Sequence, residues 1–252
     1  MKPYRSWRRR AAVALPLALA LGLSACSSSD SGAAGSTDSA ERVSIAMLQP
    51  PRSGLSPLSD DAFKLSRWAT AETLVVLDAD SNALPALATE WERVDDTTWA
   101  FTIRDGVTFH NGNTLTADSV VNSLQHAIDA TPLPRILDGV DMKVRSEDGR
   151  VIVTTANPDP LLPHRLSSPQ LAILDETAYT DKGVSPVGTG TGPFELVATE
   201  GIVGATLDRY DGYWGEPAKA SGIDVKYVPD GTARAAALRT GADFVVCDAA
   251  FG

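Results

Sequence analysis

The side chains that could carry chemistry are few and scattered. Ser56 sits in Gly54-Leu55-Ser56-Pro57-Leu58, which has the serine of a nucleophile elbow without its second glycine. The three histidines, His110, His126 and His164, share no Cys/His cluster at metal-ligand spacing, and no zinc-protease His-Glu motif occurs. The run from Gly188 to Phe194 has the glycines of a phosphate loop but lacks the Gly-Lys-Ser/Thr ending, and strand-like residues 194–198 follow it in place of a helix. These patterns point to binding without turnover, with no metal and no cofactor held by the chain itself. A secreted hydrolase is the alternative from another class, and turnover of a peptide or ester panel would separate the two.

The elements that must position a binding surface are clearest over residues 87–124. Apolar side chains fall mostly at odd positions (Trp91, Trp99, Phe101, Ile103, Val107, Phe109), the two-residue period of strands with one buried face. Asp95, Asp96, Thr97 and Thr98 interrupt the run with turn formers, so the segment doubles back as a hairpin. His110-Asn111-Gly112 supplies a second turn, since Asn-Gly tolerates the positive φ of a sharp reversal. Thr116 is placed to cap a helix with Asp118 in its first turn, and Val120, Val121, Leu124 and Ile128 give that helix one apolar face.

Several runs then carry a resemblance. Leu87-Ala88, Trp91-Glu92, Asp95 to Trp99, Phe101, Arg104 to Val107, Phe109-His110, Gly112 and Leu115 to Val120 together resemble the signature of the family 5 extracellular solute-binding proteins, the peptide and nickel receptors of ABC importers. The likeness continues through Gly190 to Phe194, Tyr210 to Gly215 and Ile223 to Asp230. It implies an α+β / α/β fold, a periplasmic-binding-protein-like type II lobe of mixed sheets with flanking helices. It also implies a non-enzyme that captures oligopeptides outside the membrane and delivers them to permease and ATPase subunits. A nickel or metallophore receptor is the runner-up, with the metal arriving already chelated. By the same resemblance Leu55 and Ser56 belong to the loop near the ligand cleft. Arg135 lies where metallophore binders place arginines toward a bound anion, with a solvated arginine as the alternative, and His164 and Gln170 fall where the family approaches its ligand.

At the amino terminus Lys2 to Arg10 is basic, residues 11–23 are apolar, and Leu23-Ser24-Ala25-Cys26 follows, the order of an export signal. The apolar run is shorter than the roughly 20 residues of a spanning helix and contains Pro16. The last four residues resemble the bacterial lipobox, which implies acylation of Cys26 and a lipid anchor; Arg8-Arg9 adds a hint of export in the folded state. Residues 1–25 are thus read as a signal peptide and 26–40 as lipidated cysteine and flexible tether, placing the protein outside the cytoplasm. With Cys26 acylated, Cys247 is the one thiol left and no internal disulfide is expected.

The whole chain carries a formal charge of −10, and without the five basic residues of the leader seventeen positive side chains face thirty-two negative ones. Such a surface repels phosphate backbones and anionic lipid, so no nucleic acid is expected as partner. In the remaining sequence, residues 43–48 read as a strand, and Ser59 or Asp60 as the cap of a helix with an inward stripe of Phe63, Leu65, Trp68 and Leu74. Hairpins are expected for 75–77 with 84–86 and for 142–144 with 151–154, irregular chain for 157–163, and packing roles for Tyr213 and Trp214. Asp230 or Thr232 caps a helix over 233–239 that Gly241 ends, before a strand at 242–246. The resemblance divides the chain into a first segment of domain I (41–74), a domain II insertion (75–186) and a second segment of domain I (187–252). It leaves the second lobe absent, so the expectation is a truncated receptor with impaired solute binding.

Overall fold

Buried apolar side chains sort into two clusters, one centred on Phe101, Phe109, Val120, Leu124 and Val153 and the other on Leu65, Trp68, Leu196, Leu207 and Val225. The structure is a computed structural model that describes residues 41–246; the leader, Cys26, the tether and Cys247 lie outside the described residues. In chain order come β1 (Arg42–Met47), α1 (Ala62–Arg67), β2 (Val75–Leu77), β3 (Ala83–Pro85), β4 (Ala88–Arg93) and β5 (Thr98–Ile103). There follow α2 (Ala117–Ile128), β6 (Met142–Glu147), β7 (Arg150–Thr155), α3 (Leu162–Arg165), β8 (Tyr179–Thr180) and β9 (Gly183–Val184). The last elements are β10 (Phe194–Thr199), β11 (Gly204–Arg209), β12 (Gly222–Tyr227), α4 (Gly231–Thr240) and β13 (Phe244–Val246). The result is the mixed α+β architecture expected, with sheets flanked by helices.

The first cluster lies between an antiparallel sheet of order β4-β5-β7-β6 and α2, which packs on β6 and β7. The helix begins where expected because Thr116 and Ser119 satisfy each other: Thr116 Oγ1 accepts the Ser119 N–H at 3.2 Å and Ser119 Oγ accepts the Thr116 N–H at 2.8 Å. The second cluster underlies a five-stranded sheet of order β10-β11-β12-β1-β13, in which β1 is parallel to β12 and β13 while β11 is antiparallel to both its neighbours. β1 is therefore paired on both sides, next to the edge strand β13, and its carboxyl end opens beside two parallel partners.

Local readings differ in four places. α1 has six residues and no side-chain cap, because Ser59 Oγ is taken by the Asp61 N–H at 3.1 Å and Asp61 turns back to the Arg52 and Ser53 N–H groups. Phe63 is 46% exposed, and Leu74 lies beyond the helix. Val107 and Phe109 are fully buried as their period suggested, yet they sit in irregular chain that hydrogen-bonds locally to Asn113 and Leu115. α3 starts inside the proline-rich stretch, since Pro163 occupies its first turn, where a missing N–H costs nothing.

One crossing ties the two clusters together. The chain returning at residues 189–193 passes so close to residues 69–70 that a Cβ on Gly190 would stand 2.1 Å from Thr70 O and one on Gly192 2.0 Å from Ala69 O. Gly192 N–H donates to Thr70 O, His110 N–H donates to Gly190 O, and His110 Nε2 lies 2.8 Å from Gly192 O. Burial holds the His110 imidazole below its ordinary pKa, and its ring meets Tyr210 edge-on at 4.8 Å. Since backbone cannot yield here, Gly190→Ala or Gly192→Ala is expected to destabilise by about 2–3 kcal/mol. Gly112→Ala, at φ +86° with nothing within 4 Å of the added methyl, should cost about 1 kcal/mol. Urea midpoints for the three variants check this, and equal losses at all three positions would contradict it.

Candidate functional site

Two concavities share α1 and the turn Arg135–Leu137, with Arg135 lining one and Ile136 the other. The smaller, about 260 Å³, sits outside the carboxyl end of β1, the location at which parallel strands leave a crevice. Met47 and Gln49 form its strand side, while Arg52, Lys64, Arg67 and Arg135 bring four cationic side chains against Asp60 and Asp61. Asp61 is 2% exposed and belongs to the scaffold: it accepts the Arg52 N–H at 2.9 Å, the Ser53 N–H at 2.6 Å and Lys64 Nζ at 3.0 Å. Arg135 pairs with Asp60 where both are mostly exposed, a pair weak enough to exchange for a bound anion. The Arg52 guanidinium is exposed and has no hydrogen-bond or ion-pair partner among the described residues.

The larger concavity, about 630 Å³, is walled by Val76, Leu77, Ile136, Pro169 and Pro193, with Glu72, Tyr213 and His164 among its polar lining. Glu72 sits in a ring of donors. Its Oε2 accepts Thr191 Oγ1 at 2.8 Å and Trp214 Nε1 at 2.9 Å, and its Oε1 accepts the Tyr213 hydroxyl at 3.0 Å. The Arg104 guanidinium stacks 4.2 Å from the centre of the Trp214 ring, and its Nε donates to Ala86 O. Burial raises the Glu72 pKa above the ordinary glutamate value, against the three donors and the Arg104 charge, which pull it down.

The expected site residues are distributed unevenly. Leu55 is fully buried in the second cluster at φ +65°, and Ser56 Oγ accepts the Leu58 N–H at 3.3 Å, so both build the loop without lining either concavity. Arg135 lines the smaller concavity and His164 the larger, where His164 Nε2 lies 3.1 Å from Ser81 O. Gln170 is 6% exposed and its Oε1 accepts the Ile136 N–H at 3.3 Å, which fixes the turn carrying Arg135. Cys26 lies outside the described residues. Sequence reasoning missed Arg52, Lys64, Arg67 and Glu72, and it assigned Tyr213 and Trp214 to packing when both also donate to Glu72. The available signal was a lone acid at Glu72 in the otherwise uncharged run from Ala69 to Leu77. Among the described residues no three His, Cys, Asp or Glu side chains gather as a metal site.

The Glu72 shift has a definite sign. A carboxyl whose native pKa is raised favours folding most below its unfolded pKa, and that contribution disappears as pH rises through the native value. Relative to Glu72→Gln, the wild type is therefore expected to lose stability as pH climbs above the ordinary glutamate value of 4.5. Urea unfolding of both proteins across that range is the measurement, and parallel stability profiles would refute the assignment.

The match to the family model "Bacterial extracellular solute-binding proteins, family 5 Middle" covers residues 82–246. The nickel-binding protein NikA of Staphylococcus aureus is 27% identical over 178 residues, 71% of this chain and 36% of the relative. The nickel-binding periplasmic protein of Escherichia coli is 31% identical over 182 residues, 68% of this chain and 34% of the relative. The crystal structure of a nickel ABC transporter protein from Bacillus halodurans superposes with a TM-score of 0.72 at 29% identity, covering 81% of this chain and 42% of that one. The chain thus spans about a third of the length of these curated relatives. With the signature runs, a fold built around a four-stranded and a five-stranded sheet and a family match that reaches from β3 to β13, the chain belongs to the bacterial extracellular solute-binding proteins of family 5.

Proposed function

We propose that this chain is the solute-capturing component of an ABC importer, working outside the cytoplasmic membrane and handing its cargo to permease and ATPase subunits. The observation that carries this reading is the pair of concavities that share α1 and the turn Arg135–Leu137, one cationic at the carboxyl end of β1 and one apolar with a half-buried glutamate. Family membership supplies the class of activity, and Cys26 the proposed lipid attachment. In the same reading residues 41–74 and 187–252 form one domain and 75–186 an insertion. The two buried clusters support that division, although Ala172, Leu174 and Ala178 of the insertion pack in the second cluster and bridge it.

Oligopeptides fit the two concavities through a cationic group, apolar side chains and a terminal carboxylate. A chelated nickel ion is the second reading, favoured by Arg52 and Arg135 beside β1, which suit an anionic chelate, and by the nickel-binding relatives. Both concavities are open to solvent, so the expected affinity is modest, with a Kd of about 0.1–1 mM. Isothermal titration against di- to pentapeptides and nickel–histidine chelates is expected to give saturable binding for one class, weakened by the double substitution Arg52→Ala and Arg135→Ala. Binding of neither class, or conversion of a bound peptide into fragments, would overturn the receptor reading.

A further inference from the structure

The two oxygens of Glu72 are not equally satisfied. Among the described residues Oε2 accepts two donors, from Thr191 and Trp214, whereas Oε1 accepts one, the Tyr213 hydroxyl. Of these partners Tyr213 lines the larger concavity together with Glu72, and Thr191 and Trp214 do not. The less satisfied edge of the carboxylate is therefore the one beside the open volume. Arg104 makes no hydrogen bond to Oε1 among the described residues: its Nε donates to Ala86 O and its guanidinium lies on the Trp214 ring, from where its charge still acts on Glu72.

The walls specify what could. Among the described residues no lysine or arginine lines this concavity, in contrast to its cationic neighbour. Val76 and Leu77 are 43% and 42% exposed at the rim, and Ile136, Pro169 and Pro193 continue the apolar surface inward. Besides Glu72 and Tyr213 its polar lining is the hydroxyls of Ser66, Thr73, Ser167 and Ser168 and the His164 ring, so the channel offers a carboxylate no lysine or arginine while it offers methylene groups a good surface. Burial disfavours the Glu72 charge, so a ligand cation at Oε1 would relieve a cost already present in the empty site.

We infer that the larger concavity receives an ammonium group on an apolar stem, with Glu72 Oε1 as its acceptor and Val76, Leu77 and Ile136 against the stem. The assignment deepens the receptor reading and rests on it for its biological sense. The same chemistry is offered by a free alkylamine and by a lysine side chain of a peptide.

The Trp214 indole N–H reports on the site, since it donates to the other oxygen of the same carboxylate. In nitrogen-15 spectra of the full chain at neutral pH, n-butylammonium chloride is expected to shift that indole resonance saturably, while n-butanol and butyrate leave it in place. Glu72→Gln should weaken the response at least tenfold; if that variant does not fold, Val76→Arg, which puts a cation at the rim, should do the same. Gly-Lys-Gly binding more tightly than butylammonium would assign the stem to a peptide, and the reverse order to a free amine. An equal response to butanol or butyrate, or no saturable response to either ammonium probe, overturns the inference. Should peptides or chelates bind while both ammonium probes fail, only this assignment falls; an ammonium response without binding by any other solute of the panel removes the receptor reading and leaves the pocket assignment standing.

Discussion

The carboxylate of Glu72 sets the constraint on which the surrounding structure depends. A charge removed from water must be solvated by the protein, and the donors that do so come from two distant segments, Thr191 in the returning crossover and Tyr213-Trp214 after β11. Glu72 is also flanked by Ala71, which packs in the second cluster, and by Leu74, which packs in the first, and its carbonyl accepts the Ile173 N–H. The seam between the two clusters is thus a polar one. Apolar contact across it would leave relative position adjustable, whereas three directed bonds to one carboxylate admit a single arrangement.

The crossing at Gly190 and Gly192 follows from the same requirement. For Thr191 Oγ1 to reach Glu72, the backbone on either side of it must lie against residues 69–70, and only glycine leaves room for carbonyl oxygens at that distance. The glycine-rich run that resembles a phosphate loop in composition is spent on this approach to the protein's own backbone. His110 and Tyr210 complete the joint from the other side: the Tyr210 hydroxyl lies 2.7 Å from Thr108 Oγ1 and donates to Phe109 O at 3.1 Å. The joint leaves His110 Nδ1 buried without a partner among the described residues.

How much of this was legible in the sequence depends on the range of the interactions. Alternation over Trp99 to Ile103, the hairpin of 142–144 with 151–154 and the Thr116 cap are decided within a few residues, and each element formed where its local chemistry placed it. The cap expected at Ser59 or Asp60 does not form because Ser59 Oγ accepts the Asp61 N–H and Asp60 pairs with Arg135, partners that only the folded loop offers. β11 went unnoticed because Gly204 to Arg209 is short and half polar, and its strand character comes from pairing with β10 and β12. The site was least legible of all: Arg135 and His164 were reachable from the resemblance, but Glu72 acquires its partners from residues 119 to 142 positions away.

With a formal charge of −10 the chain as a whole attracts cations, yet the concavity at the end of β1 gathers four cationic side chains, so local sign opposes net sign there. At physiological salt, charges more than about 8 Å apart are largely screened, so each concavity acts on a ligand through its own lining and not through the field of the whole molecule. Opposite local signs sharing one helix and one turn favour solutes that are themselves dipolar. A solute carrying a single charge finds one compatible concavity and one that repels it. The polar seam that holds the two clusters therefore also sets where Glu72 stands relative to the cationic group at the end of β1, because Glu72 belongs both to the seam and to the lining of the larger concavity.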